Sequence, residues 1–363
     1  MTRRRVAIIG AGMAGASLAA ELAPQDDVVL CEAESQPGYH ATGRSAAFWS
    51  ETYGGPLVQP LTTASGPLLH APPAGFADHG FLRTRGELLL ARDPAVLDAL
   101  AQDFASSGVP IERRDPHRVV AGLRGEWHAL WSPGCADIDV GALHAAYLAR
   151  ARRGGVDVRC DARLTGARRV GYGWELQTAA GTIVADIVVN AAGAWADGVA
   201  ALLGAAPLGI RPYRRTVVQV RIDPPASPDL PLVIDTAGGF YFKPEPGGRL
   251  WLSPHDETPD RPHDVAPEEI DVALAIDRFE AAVDWRVEAV ERRWAGLRSF
   301  APDRLPVYGL DARVPGLFWC AGQGGFGIQT APAAARMCAA LLGQGDVPEG
   351  VDPTLYSPHR LSE

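Results

Sequence analysis

Three things are scarce in this 363-residue chain: positive charge, paired cysteines and long apolar runs. Its 34 lysines and arginines are outnumbered by 43 acids, giving a formal net charge of -9. That balance argues against nucleic acid as a partner, because such binding rests largely on neutralising phosphates. The clusters Arg3, Arg4, Arg5 and Arg152, Arg153 read as solvated element ends rather than a binding patch. Five cysteines, Cys31, Cys135, Cys160, Cys320 and Cys338, are odd in number and include no C-x-x-C pair. Reduced thiols fit that usage better than a disulfide framework. No uninterrupted apolar run is long enough to span a bilayer. The chain passes from MTRRR straight into VAIIG, without the apolar region and cleavage site of a secretory signal. A cytoplasmic chain is expected, with peripheral membrane association left open. At 47% hydrophobic and 21% charged residues, it can bury a sizeable core as one large domain or two interleaved ones.

What is present begins at the N-terminus, in RRVAIIGAGMAGASLAAELAPQDDVVLCEAE. An apolar strand at 6–9 leads into Gly10, Gly12 and Gly15, then an alanine-rich helix, then a second strand at 28–31 that ends at Glu32. In such a unit Gly10 permits the tight turn, Gly12 lets the backbone approach a pyrophosphate, and Gly15 lets helix and strand pack closely. The helix N-terminus offers free N–H groups and partial positive charge to the pyrophosphate, and Glu32 stands where a carboxylate can accept ribose hydroxyls. A glycine fingerprint in this strand, helix and acid context is a strong dinucleotide signal. By itself it does not choose between NAD and FAD.

Later segments make that choice. GYHATGRSAA, at 38–47, is a small-residue loop offering Arg44 as a phosphate partner and Ser45 as a hydroxyl donor. DIVVNAAGAWAD, at 186–197, reads as another buried strand running into Ala192 and Gly193, and LFWCAGQGGFGIQTAPAAARMCAALL repeats the plan of strand, glycine loop and alanine-rich helix. Distant glycine-rich strand ends converging on one ligand suit an extended FAD better than NAD.

With QPGYHATGRSAA, PPAGF, ADIDVGALHAAYL, VVNAAGAW, FYFKP, WAGLRSF and GQGGFGIQT, the chain resembles the D-amino-acid oxidase superfamily of flavoproteins over essentially its whole length. Within that superfamily it is most similar to the bacterial FAD-dependent D-arginine dehydrogenases. The resemblance implies an α/β fold: a Rossmann-type FAD-binding domain interleaved with an α+β substrate domain on a mixed sheet, as in glycine oxidases. The expected division is 1–80, 145–210 and 295–363 for the FAD domain, and 81–144 with 211–294 for the substrate domain. FAD is expected to be bound without a covalent link, although some related dehydrogenases attach it through a histidine in a loop like that of His40. No metal is expected. The partner is a small amino acid, and the electron acceptor is oxygen or a quinone-type carrier.

The resemblance also implies roles. Arg298, in WAGLRSF, forks onto the substrate carboxylate, for which a planar guanidinium is suited; read alone, it could equally be one half of a core salt bridge. Tyr53 covers the site from a loop, Tyr241 offers its hydroxyl to the carboxylate, and Arg215 lines the same cavity, with Arg214 beside it a surface charge. Glu87, between a turn glycine and an apolar strand, receives the cationic end of the substrate side chain, or else pairs with Arg83, Arg85 or Arg92. Gly324, Gly325, Gly327 and Ile328 present backbone to the flavin, with Gln329 and Thr330 at the helix start and Ser50 close by. Phe48 replaces a histidine of the relatives and Leu232 a methionine. The activity implied is oxidation of a D-amino acid, D-arginine or another basic or broad-range one, to the imine, which water converts to a 2-oxo acid and ammonia. The alternative is a glycine- or sarcosine-type amine oxidase on the same scaffold. An aromatic hydroxylase would carry a further Gly-Asp motif near the flavin, and a non-catalytic FAD module would not need the Arg298 clamp.

Overall fold

The strand, turn, helix and strand of the N-terminal motif form as Arg5–Ile9, Met13–Leu22 and Asp27–Cys31 in the computed structural model, which describes residues 3–361. These strands are the middle of a six-stranded sheet. Arg5–Ile9 pairs in parallel with Asp27–Cys31 on one side and Ile187–Asn190 on the other, and Leu317–Ala321 and Asp157–Arg159 extend the parallel set outward. Val307–Leu310 closes one edge antiparallel. Alternation along the first strand assigns its residues to two cores. Val6 and Ile8 pack with the helices Met13–Leu22, Val140–Arg153 and Ala331–Leu341, whereas Ala7 and Ile9 pack under a three-stranded antiparallel sheet through Leu164, Leu176 and Ile183.

A second, ten-stranded mixed sheet is built on two long antiparallel strands, Arg211–Asp223 and Arg286–Phe300. Arg249–Ser253, Tyr241–Glu245 and Leu232–Asp235 continue it, and Glu87–Ala91 joins parallel to the last of these. One side of this sheet is covered by the helix Glu269–Ala282, where Val220, Leu252 and Phe242 meet Val272, Ala275 and Phe279. The short pair Gln323–Gly324 adds to Ser299 and Phe300, so the last glycine loop is hydrogen-bonded to the large sheet. The long strand that carries Arg298 stays in this sheet to Phe300, past the division expected at 295, and Val140–Arg153 begins before the one expected at 145. An interleaved α/β chain with a mixed sheet is the architecture the sequence led us to expect.

All five cysteines are free, and among the described residues no helix is long and apolar enough to cross a membrane.

The turn after the first strand depends on two glycines. Gly10 sits at φ +106°, where a Cβ would lie 2.4 Å from the Ala191 carbonyl oxygen, and a Cβ on Gly15 would lie 1.9 Å from that of Gly10. Both clashes are with backbone, so relief requires the helix to move off the sheet. Gly15→Ala is therefore expected to cost about 2–4 kcal/mol and to reduce the FAD that copurifies. Thermal unfolding and flavin absorbance per protein measure the two effects.

Candidate active site

A cleft between the two sheets, about 350 Å³ in volume, runs from the N-terminal glycine turn to the end of the long strands, and is of ligand-binding size. At its first end Gly10, Gly12 and Glu32 form the wall with Ala192 and Gly193. The Glu32 carboxylate accepts from the amides of Ala11 and Glu34, both at 3.1 Å, which aims it into the cleft mouth. Gly12 precedes the helix Met13–Leu22, whose first turn contains no acid, and a Cβ there would stand 3.2 Å from Thr42 Oγ1. A helix start open to an anion, a bare glycine and a carboxylate one strand away fit the pyrophosphate and ribose of a dinucleotide. Gly15 lies behind this wall, where its absent side chain lets the helix approach.

Thr42 carried no sequence signal of its own, yet it lines the cleft and accepts from the Met13 amide at 2.9 Å. His40 also lines it, with Nε2 3.1 Å from Glu34 and its ring 4.6 Å from that of Trp195. Ser45 faces the cleft, and its hydroxyl accepts from the Ala47 amide at 3.1 Å. Arg44 was expected to meet a phosphate. It lies in the wall, but its guanidinium is already engaged: it pairs with Asp264 and donates to the Val265 carbonyl at 2.8 Å.

At the far end Arg298 is half-buried, and among the described residues it forms no ion pair with a carboxylate. It donates to the Tyr53 hydroxyl at 2.7 Å. Burial works against its charge, but Tyr53, Tyr241, Glu257 and Asp256 hold its pKa above the ordinary arginine value. Arg215 projects from the neighbouring strand, opposite Gly296. It is 4% exposed, donates to the Asp256 carbonyl at 2.7 Å and pairs with Glu257 at 3.2 Å. Burial first and Arg298 second pull its pKa down to about 10. Its Nη1 and the Tyr241 hydroxyl are buried without a partner, and both residues line the cleft beside Arg298. Buried donors without acceptors are uncommon, and here two stand next to a guanidinium with a free edge. The same cations act on His255, whose ring lies edge-on to Tyr241 at 5.7 Å. Burial, Arg215, Arg298 and Arg278 depress its pKa to about 3.

The floor is the last glycine loop. Gly324, Gly325, Gly327 and Ile328 line the cleft. A Cβ on Gly325 would lie 2.3 Å from the Tyr53 hydroxyl and 3.2 Å from Arg298 Nη1, so a side chain there would displace that pair. Phe48 packs 5.3 Å from Tyr53 and 6.4 Å from Tyr241 and completes an aromatic wall. Arg214, by contrast, is turned away and buried among Asp260, Glu268 and Asp271.

Glu87 stands apart from this wall. It is 0% exposed, and neither the cleft nor the recess under Phe48 includes it among its lining residues. Its carboxylate accepts from Ser50 Oγ at 2.6 Å and Thr52 Oγ1 at 2.7 Å. None of Arg83, Arg85 and Arg92 pairs with it; Arg85 pairs with Asp137 instead. Ser50 is thereby a core residue rather than a flavin contact, and its amide donates to Gln329 Oε1 at 3.1 Å. Gln329 in turn donates to the Tyr53 carbonyl at 3.1 Å, and Thr330 is turned inward, bonded to the Phe326 carbonyl at 2.8 Å. Leu232 is buried in the strand beside Glu87. One sequence expectation is corrected here: no nearby arginine pairs with Glu87, which lies in a strand buried along its whole length and whose Oε2 is buried without a partner.

The family profile of the FAD-dependent oxidoreductases called DAO matches residues 5–341. The chain belongs to that family. This DAO-family enzyme is a FAD-dependent oxidoreductase, and the first end of its cleft carries the residues that would hold FAD. It is 26% identical to a glycine oxidase of Geobacillus kaustophilus, over 99% of this chain and 98% of that protein. It is 26% identical to the mouse mitochondrial dimethylglycine dehydrogenase, over 98% of this chain and 44% of that protein. A Xenopus laevis protein named for its FAD-dependent oxidoreductase domain matches at 29% identity over 45% of this chain and 36% of its own length. The chain thus spans less than half of the latter two relatives. Among solved structures, the L-proline dehydrogenase of P. horikoshii superposes with a TM-score of 0.86 at 22% identity, covering 99% of this chain and 98% of that one. At that identity the likeness establishes the fold.

Burial raises the Glu87 pKa above its ordinary 4.5, against the pull of hydrogen bonds from Ser50, Thr52 and Cys135. The folded protein therefore holds this proton more tightly than the unfolded chain, so stability falls as pH rises through and beyond 4.5. Glu87→Gln lacks that loss. Its unfolding midpoint relative to the parent is expected to climb as pH is raised from 4 to neutrality; an offset independent of pH would contradict the burial argument.

Proposed function

We propose that the enzyme oxidises the carbon–nitrogen bond of a small amino acid, glycine or an N-methylated amino acid such as sarcosine, to the imine, which water hydrolyses to the oxo acid and ammonia or the corresponding methylamine. The single observation that carries this reading is Arg298. It is a half-buried guanidinium without a carboxylate partner, at the end of the FAD cleft, beside the unpartnered Tyr241 hydroxyl and Arg215 Nη1. A substrate carboxylate supplies the missing acceptors, and a planar guanidinium takes it in two parallel hydrogen bonds.

Bound FAD supplies the acceptor for the hydride that leaves the α-carbon. The chain's own residues do the rest. Arg298 and Tyr241 fix the carboxylate and with it the face of the α-carbon that is presented. Tyr53 holds Arg298 from the outside, and Phe48 walls off water on the same side. Among the described residues, the only carboxylates in the cleft wall are Glu32 and Glu34, at the opposite end. No acid at the substrate end is placed to hold an ammonium, and two guanidiniums disfavour one, as they do a protonated His255. The substrate nitrogen therefore sheds its proton on binding and reacts as a neutral amine, without a dedicated base.

The lack of an acid at this end also separates this reading from the basic D-amino-acid one, for which Glu87 was to be the anchor. Similarity to a glycine oxidase and a dimethylglycine dehydrogenase over nearly the whole chain supports the small-amine alternative. A non-basic D-amino acid would use the same clamp, and Phe48 then limits its side chain.

Anaerobic titration of the yellow protein with glycine, sarcosine, D-leucine and D-arginine, followed by flavin bleaching, tests the proposal. Glycine or sarcosine is expected to bleach; bleaching by D-arginine alone would overturn the reading. Admitting air afterwards distinguishes oxygen from a carrier as acceptor. Arg298→Ala is expected to lose about a hundredfold or more in kcat/KM with its FAD absorbance retained. In pH profiles, kcat/KM should rise with pH until the substrate nitrogen is neutral; a profile falling over that range would contradict an unaided amine.

A further inference from the structure

Arg44 faces the cleft, yet its charge is spent on a segment 220 residues away in sequence. That segment, 260–268, has no helix or strand. It crosses from the large sheet to the cofactor side, and its His263 and Val265 line the cleft opposite Arg44. Both ends are tied to one buried side chain: Arg214 pairs with Asp260 at 3.4 Å and with Glu268 at 2.7 Å. Its middle is tied to the other wall. Asp264 pairs with Arg44 and accepts from the Tyr39 hydroxyl at 3.1 Å, and the Val265 carbonyl accepts from Arg44 at 2.8 Å. Val265 itself is buried against Ala194, Ala295 and Leu297.

We infer that residues 260–268 are a latch over the cofactor, closed by Asp264 on Arg44 and Tyr39, and that opening this contact is the step through which FAD leaves. The loop 38–45 and the latch both belong to the wall of the cleft that spans from Gly12 to Gly325. A dinucleotide stretched along that cleft passes between them. The ends of the latch are held by Arg214 in the protein interior, whereas Asp264 is largely exposed, with a side chain 58% accessible. Opening the middle also draws Val265 out of its small cluster with Ala194, Ala295 and Leu297, and the Asp264 pair is the solvent-accessible, charge-assisted contact that breaks first. Arg44 accordingly acts through Asp264 and not as a phosphate ligand. This inference rests on FAD as the cofactor but not on the identity of the substrate, so it stands or falls separately from the proposed reaction.

The test is the release of FAD from the holoenzyme, followed as the rise in flavin fluorescence after dilution, for the parent, Asp264→Ala, Arg44→Ala and Asp277→Ala. Asp277 lies on the exposed side of the neighbouring helix and serves as the control. Release is expected to quicken about three- to tenfold in the Asp264 and Arg44 variants, with the control unchanged. The double variant should be no faster than the faster single one, because both remove the same contact. Release rates equal to the parent in Asp264→Ala would overturn the latch, as would additive effects in the double variant.

Discussion

Holding a guanidinium half-buried with no carboxylate against it is the constraint around which the substrate end of this protein is built. Removing a charge from water is costly unless something replaces the solvent. Part of the replacement is the Tyr53 hydroxyl, and the rest lies one shell out, where Asp256 and Glu257 hold Arg215 and favour the Arg298 charge as well. Arg304 pairs in turn with Glu257 at 2.9 Å. Counting those two acids against Arg215, Arg298 and Arg304 leaves a surplus of one positive charge, which a single substrate carboxylate cancels. The long antiparallel strands make this possible, since their register sets Arg215 opposite Gly296 and Arg298 opposite Tyr213. Two cations from adjacent strands then reach one cleft.

In the proposed reaction the same surplus acts on the substrate nitrogen. A chain with net charge -9 surrounds a cleft end lined by Arg215 and Arg298, and the two cations add to burial in lowering the pKa of the nearby His255. A carboxylate is drawn in and an ammonium is pushed toward its neutral form. Both effects come from the same two side chains, so binding and activation are not separable functions of this site. Phe48 adds to this by excluding water, which would otherwise screen the cations.

Legibility in the sequence followed the range of the interaction. The glycine turn was readable because its constraints are local: a positive φ at Gly10, a close approach at Gly15 and an acid one strand later at Glu32 are all set within a few tens of residues. Arg298, Tyr53 and Tyr241 were reached through a resemblance whose motifs carry them, and the structure brings all three to one end of the cleft. Glu87 was placed by the resemblance and by its position before an apolar strand, and neither records that Glu87–Ala91 is buried throughout. The Arg44 pairing with Asp264 was not legible because that partner comes from a connector with no motif, and nothing near 44 records the charge at 264. Thr42 and Val265 were missed for the same reason: their contribution is a position in the wall, not a residue type that chemistry demands.

The cleft proposed for the cofactor is lined by residues of both sheets. The glycine turn and Glu32 belong to the six-stranded sheet, and Arg298, Arg215 and Tyr241 belong to the large one. A ligand that touches both adds its binding free energy to the stability of their arrangement, in proportion to the logarithm of its concentration over its dissociation constant. The last glycine loop makes that arrangement matter for chemistry, because its pair Gln323–Gly324 is bonded to Ser299 and Phe300, the residues directly after Arg298. The loop proposed to receive the flavin and the arginine proposed to receive the substrate thus share one run of backbone hydrogen bonds. Their spacing is set by the ladder rather than by flexible side chains, which is the precision that hydride transfer between two bound molecules requires.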